Sequence, residues 1–363
     1  MNRLPLHEQH EALGAKLGEF AGYSMPLYYT RPIEEHHAVR RQAGVFDISH
    51  MGQFRVSGER AEDFLRYLLA NDVRGMRDGD ALYSPLLRED GGVLDDLIAY
   101  RSDARRYRVI VNGATRAKDW QWMTCIAQDF ACEMEDLTDG LCLLAVQGPR
   151  AFERLAPHAG HAPGALKYYG FAETELFGVP VFLARTGYTG EPGCELALPR
   201  ARAAEVWQRL TGELGLAPIG LAARDTLRLE ACMHLYGHEL REEWHPLECG
   251  LGWAVQLDGP DEFIGRKALR AIRGVGFPYR LAGLELTGRG IPREGCRVLH
   301  QGEEVGVVTS GTLSPTTGKA VGLAHLRAQA ASVGTALQVE IRDKPVDAVV
   351  VKRPFYKNPA LKA

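Results

Sequence analysis

Apolar positions recur along this chain at two periods. Residues 53–56 alternate polar and apolar, as a half-buried strand does. Residues 59–70 then place Phe64, Leu65, Leu68 and Leu69 on one face at helical spacing. Two β-rich runs follow, 93–100 and 107–112, parted by the turn-like RSDAR. Residues 114–128, 201–214 and 221–233 read as helices, the last bringing Arg224 and Arg228 onto a shared face four residues apart. From about residue 279 the pattern shifts to short strands divided by Gly and Pro: LAGLEL, CRVLHQGEEVGVVTSG, AVGLAHL, ALQVEIRD and AVVVKRPFY. Evenly spaced short strands predict a small antiparallel barrel or sandwich, and a domain boundary is placed near residue 275.

Composition narrows the class. The 363 residues are 45% hydrophobic and 25% charged, with material for two to three domains. A net charge of −3 gives no broad positive field for nucleic acid or an anionic membrane. The longest apolar runs, such as 141–146, fall far short of a bilayer span of roughly 20 residues. The first residues, MNRLPLHEQHEALGAK, carry no secretory h-region. Seven cysteines, with no C-x-x-C, fit reduced thiols acting as small buried hydrophobes.

Several familiar chemistries lack their residues. There is no G-x-G-x-x-G for an integral dinucleotide domain and no G-x-S-x-G elbow, and residues 311–319 fail P-loop spacing with Ala320 in place of Ser or Thr. The histidine pairs 7/10, 36/37 and 158/161 do not follow H-E-x-x-H. His234 and His238 are separated by Gly237, so surface or capping roles are expected and no metal site.

Three stretches stand out. In EDGGVLDDLI (residues 89–98) a Gly-Gly turn opens a strand with adjacent Asp95 and Asp96, which must point to opposite faces. One of them therefore faces the buried side, where an unpaired carboxylate is costly and its pKa rises; capping a turn or pairing with an arginine is the equal alternative. In RTGYTGEPGCE (185–195) three glycines let a loop approach a ligand closely and Tyr188 offers a ring, although a decorated hairpin explains the same residues. In GLAARDTLRLE (220–230) two arginines could grip carboxylates or a polar heterocycle, or pair internally with Asp225, Glu230 or Glu248.

Taken together and in order, these stretches resemble one family nearly end to end: the glycine cleavage system T proteins, which are tetrahydrofolate-dependent aminomethyltransferases. The resemblance runs through AGVFDISHMGQF, YSPLLREDGGVLDDLIAYR, VNGATRAKD, RTGYTGEPGCEL, GLAARDTLRLEACMHLYGHEL, PLECGLGWAV, VTSGTLSPTTGKAVGLAHL and VKRPFYK. It implies an α+β fold of two interleaved lobes with antiparallel sheets (residues 1–275) plus a C-terminal β-barrel (276–363), a three-domain cloverleaf around folate. By the same resemblance the catalytic carboxylate falls on Asp96, and Glu195 and Arg228 hold the pterin. Met51, Tyr83, Tyr100, Asn112 and Tyr188 line the pocket, with Tyr356 a further candidate. Pro192, Cys194 and His238 depart from the family's usual residues without removing a catalytic group.

The implied partner is a lipoylated H protein, together with the other glycine cleavage components. N5 of tetrahydrofolate attacks the aminomethyl carbon, ammonia and the thiol leave, and 5,10-methylenetetrahydrofolate forms. A carboxylate beside N5 and N10 suits the developing iminium. No flavin or NAD is expected, and the location expected is a bacterial or archaeal cytoplasm. The rival from the same fold is a tetrahydrofolate-dependent demethylase or methyltransferase; the rival from outside enzymology is a folate-binding protein of the iron–sulfur maintenance type, whose K-G-C-aromatic signature is missing.

Overall fold

The computed structural model describes residues 1–362. Two sheets, antiparallel except where Ala217–Pro218 pairs parallel with Gly44–Asp47, dominate the first 260 residues, and their strands interleave along the chain. A six-stranded sheet runs in the order Phe171–Leu176, Val179–Ala184, Gly193–Pro199, Leu141–Gln147, Gly44–Asp47, Ala217–Pro218. A five-stranded sheet runs Ala81–Leu87, Val93–Asp103, Arg106–Val111, Gly52–Ser57, Glu133–Asp136. The chain thus starts one sheet at residue 44, builds the other from 52 to 136, and returns. A three-stranded sheet of Asn2–Arg3, Tyr23–Tyr28 and Lys16–Phe20 covers one end. From Tyr279 to Val351 six strands close into a barrel around its own core, which includes Leu284, Val298, Val308, Ala324 and Val339. The α+β, interleaved-lobe and barrel expectations all hold.

The strand carrying the paired aspartates is set by its turn. Gly91 sits at φ +88, where side chains are strained. Gly92 has ordinary backbone, but a Cβ there would lie 2.2 Å from the carbonyl oxygen of Glu242. The two glycines therefore do different work, one turning the chain and one letting the 242–244 segment lie against it. Val93 N–H donates to the Trp244 carbonyl at 3.0 Å.

The periodic helices fold as Ala61–Leu68, Arg116–Ala127 and Leu221–Glu230. The last ends sooner than expected because Cys232 takes a left-handed φ of 55. The segment expected as one helix over 201–214 is broken into a 3₁₀ turn, the α-helix Ala203–Gln208, and a π-helical turn Arg209–Glu213. A helix at Pro32–Arg41 had no apolar signal for a physical reason: three of its four buried side chains are Glu35, His36 and Arg40. The cysteines are all free, but only Cys142, Cys194 and Cys249 are buried; Cys125 is exposed, so the buried-hydrophobe reading fails there. No helix among the described residues is long and apolar enough to cross a membrane.

Candidate active site

A cavity of about 630 Å³ takes its walls from both sheets and from the helix Leu221–Glu230 with the loop after it. Asp96 faces it from the strand Val93–Asp103. Tyr83 OH donates to Asp96 Oδ2 at 2.9 Å, and the Asn112 side-chain amide donates to Asp96 Oδ1 at 2.9 Å. Burial pushes the Asp96 carboxyl up to about 7, with the neighbouring Asp95 charge adding to the rise and the two hydrogen bonds opposing it. Asp95 points inward and is fully buried. It accepts from Asn112 N–H at 3.1 Å, the Asn112 amide at 2.7 Å and Thr115 Oγ1 at 2.8 Å. The opposite-face expectation from strand geometry is met, and the inward aspartate is held by an amide and a hydroxyl rather than by an arginine.

Glu195 lines the cavity from the strand Gly193–Pro199. Thr186 Oγ1 donates to its Oε2 at 2.6 Å. Burial raises its pKa, while Thr186 and the charge of Arg224 pull it down. Arg224 also lines the cavity, stacked over the Tyr188 ring at 4.6 Å. Burial lowers the Arg224 pKa, with Tyr188 and Glu195 opposing. Its guanidinium makes no hydrogen bond or ion pair among the described residues. A half-buried cation with free donors beside a buried carboxylate is a ready receptor for a heterocycle that has donors and acceptors on one edge. His50, another wall residue, is held neutral by burial, its pKa pushed down to about 3.

Of the sequence-predicted residues, Met51, Tyr83, Asp96, Asn112, Tyr188 and Glu195 meet around this space. Three others stand outside its lining. Tyr100 is fully buried among Phe171 and Phe182, with its hydroxyl 3.4 Å from Thr186 Oγ1. Tyr356 stacks under Arg40 at 3.9 Å, with its N–H on the Glu230 carbonyl. Arg228 spends its donors inside the protein: on Glu239 at 2.7 Å, Asp225 at 2.8 Å and Ser310 at 2.8 Å. Arg224, one turn earlier, is the arginine the cavity sees. The two share the helix face that their spacing predicts, but the pterin role that the resemblance implies for Arg228 falls at a side chain outside the lining.

The loop glycines also act differently from expectation. A Cβ on Gly187 or Gly193 would strike the Gln147 side chain at 2.0 or 2.5 Å. They are small so that Gln147 can brace the loop, with Thr189 Oγ1 donating to its Oε1 at 2.9 Å and its amide donating to the Thr186 carbonyl at 3.1 Å. Trp253, Tyr168, Tyr169 and Tyr236 also form the walls and carry no sequence signal, while His234 and His238, expected in surface or capping roles, line the cavity, His234 with Nε2 2.7 Å from the Cys249 carbonyl oxygen. Among the described residues no group of three His, Cys, Asp or Glu side chains could hold a metal ion.

Family models agree with this architecture. Residues 6–259 match the GCVT N-terminal domain, and residues 280–357 the glycine cleavage T-protein C-terminal barrel domain. The chain belongs to the glycine cleavage T-protein family. The aminomethyltransferase of Desulforamulus reducens is 43% identical over 361 residues, covering 99% of each chain. That of Rubrobacter xylanophilus is 47% identical, covering 99% of this chain and 95% of the relative. The crystal structure of the glycine cleavage system aminomethyltransferase T from Bartonella henselae superposes with a TM-score of 0.92 at 35% identity, over 98% of both chains. Family membership thus rests on whole-chain agreement in sequence and in fold.

Proposed function

We propose that the cavity binds tetrahydrofolate, with Asp96 as the catalytic carboxylate and a lipoylated H protein as the donor. The chain is an aminomethyltransferase of the glycine cleavage system, a transferase acting with tetrahydrofolate. The observation that carries the site reading is that one cavity is lined by Asp96, Glu195 and Arg224, the last stacked on Tyr188 with no hydrogen bond to its guanidinium among the described residues.

Glu195 accepts from the exocyclic amine and adjacent ring N–H of the pterin, a donor pair matched to a carboxylate. Arg224 donates to the ring acceptors. The folate N5 then points toward Asp96, and the aminomethyl carbon arrives on its sulfur. As N5–C forms, ammonia leaves with the N5 proton. The C–S bond breaks to release the thiolate, and N10 closes the five-membered ring with loss of its proton, which passes on to restore the thiol. Asp96, ionised, steadies the cationic iminium and takes that proton; a group titrating near neutral pH suits both. Tyr83 and Asn112 hold the carboxylate in one orientation.

Arg228, Tyr100 and Tyr356 act through their neighbours. Arg228 clamps Glu239 and the Met233 carbonyl, fixing the 233–238 loop that forms one wall. Tyr100 backs Thr186, and Tyr356 backs Arg40. The folate site is assigned to residues 1–275, with Lys362 adding to the cavity wall and Tyr279–Val351 forming the separate barrel. Seven free thiols fit work in a reducing cytoplasm.

A single-turnover assay with aminomethylated lipoyl H protein tests this reading. Ammonia and methylenetetrahydrofolate are expected together in stoichiometric amounts, both lost when folate is omitted. Folate binding without either product would overturn it.

A further inference from the structure

Behind the Asp95–Asp96 pair stands a third carboxyl group that the mechanism does not use. Asp119 lies in the first turn of the helix Arg116–Ala127, is wholly buried, and has neither carboxyl oxygen in hydrogen-bonding geometry with a partner. An ionised carboxylate in that position would be desolvated and unpaired, which strongly favours the neutral acid. A neutral acid carries an O–H that needs an acceptor. Asp95 is the neighbouring carboxyl: Thr115, whose carbonyl accepts from the Asp119 N–H at 2.9 Å, donates its hydroxyl to Asp95 Oδ2 at 2.8 Å. The Asn112 amide on one of its oxygens and the Thr115 hydroxyl on the other hold it in place.

We propose, resting on the transferase reading above, that Asp119 is a positioning residue: its carboxyl group donates a hydrogen bond to Asp95, and Asp95 in turn fixes the Asn112 amide that grips Asp96. The chain of contacts then runs from the helix interior to the reacting carboxylate through named atoms. Asn112 Nδ2 lies 2.7 Å from Asp95 Oδ1 and 2.9 Å from Asp96 Oδ1, so any rotation of Asp95 reaches Asp96. A short reorientation of the amide would leave Asp96 with Tyr83 alone. Burial, then the Asp95 charge and its contact, push Asp119 up to about 10, with Thr115 and Lys118 opposing. Lys118 is itself engaged by Glu242 at 2.7 Å and Tyr236 at 2.8 Å, so it does not neutralise Asp119. Around Asp96 the remaining titratable neighbours are Tyr83, Tyr169 and Tyr188.

Infrared difference spectra of the full chain against Asp119→Asn test the protonation without any substrate. At about pH 8.5, above the Asp96 titration and below that of Asp119, a carboxylic-acid C=O stretch is expected in the parent and absent from the variant. Kinetics test the positioning. Asp119→Leu, which fills the space but donates nothing, is expected to lower kcat about 10-fold or more with tetrahydrofolate Kd within about threefold, the effect of a displaced catalytic group. Asp119→Asn, whose amide still donates to Asp95, is expected to recover most of that rate. Absence of the C=O stretch overturns the proposal, and so does an Asp119→Leu enzyme with parental kcat. If Asp119→Leu does not fold, the spectrum and the Asn variant decide: an Asn variant slowed about 10-fold at unchanged Kd also overturns it. Because the spectrum needs no donor or folate, failure of the transfer assay leaves this result readable on its own.

Discussion

Asp95 and Asp96 are chain neighbours whose carboxylates are joined by one amide: Asn112 Nδ2 donates to Asp95 Oδ1 at 2.7 Å and to Asp96 Oδ1 at 2.9 Å. One carboxylate faces the interior and one the cavity, so a single side chain couples the fold to the reacting group. Asp96→Asn is expected to leave tetrahydrofolate affinity within a few-fold and lower turnover by roughly 10²-fold, the usual scale for a positioned acid–base group. Asn112→Ala removes a hydrogen bond to the charged form, so the Asp96 pKa should rise above its present value near 7. Near-normal single-turnover rates for Asp96→Asn would take Asp96 out of the chemistry.

The raised pKa of Asp96 fixes two pH dependences. Turnover that uses the ionised form should increase as pH rises through about 7. Stability should move the other way. The folded state holds the proton that the unfolded chain releases near its ordinary carboxyl value, so stability is fully present below that value and declines as pH rises through the folded pKa. Above pH 8 the penalty is complete, and the neutral Asp96→Asn variant should melt higher than the parent there while matching it near pH 4. Melting curves at those two pH values check this; an Asn variant no more stable at the higher pH would show that Asp96 is not so desolvated.

The architecture was largely legible because burial follows period wherever the buried side chains are apolar. Phe64, Leu65 and Leu68 announced their helix, and the strand run after residue 279 announced the barrel. The helix Pro32–Arg41 was invisible because its inward face is Glu35, His36 and Arg40, satisfied by partners far away in sequence such as Glu191 and Glu230. The cavity was legible in part. Asp96 and Glu195 stood in unusual strings, but Arg224 and Arg228 occupy one helical face with similar neighbours. Only tertiary placement shows that Glu239 consumes one and leaves the other free.

That division makes the two arginines separable by experiment. Arg224→Ala is expected to weaken tetrahydrofolate binding by about 10-fold to 100-fold with little change in melting temperature, since a guanidinium–heterocycle contact of roughly 1.5–3 kcal/mol is lost while inside the protein only a stack on Tyr188 and a favourable charge near Glu195 go with it, no hydrogen bond being broken. Arg228→Ala strands Glu239, a buried carboxylate, and should destabilise the fold by about 3–5 kcal/mol. Calorimetric folate titrations beside thermal melts distinguish them. Reversal of the pattern, with Arg228→Ala stable but blind to folate, would return the pterin contact to Arg228.

Trp253 offers an optical view of the same cavity. Its ring is 69% exposed, yet it lies parallel to Tyr83 with centroids 5.5 Å apart, and Tyr83 carries the hydroxyl on Asp96. A large exposed aromatic at a cavity rim is a stacking surface for whatever part of a ligand extends beyond the walls. The other four tryptophans lie away from this lining. Binding of tetrahydrofolate should therefore quench the emission of Trp253 selectively, and Trp253→Phe should remove most of the quench. Because the phenyl ring keeps the stack on Tyr83, affinity in that variant should fall by less than about 10-fold, within the range of one aromatic contact. A quench that survives Trp253→Phe unchanged would mean that the ligand does not reach the rim, confining recognition to Glu195, Arg224 and Tyr188.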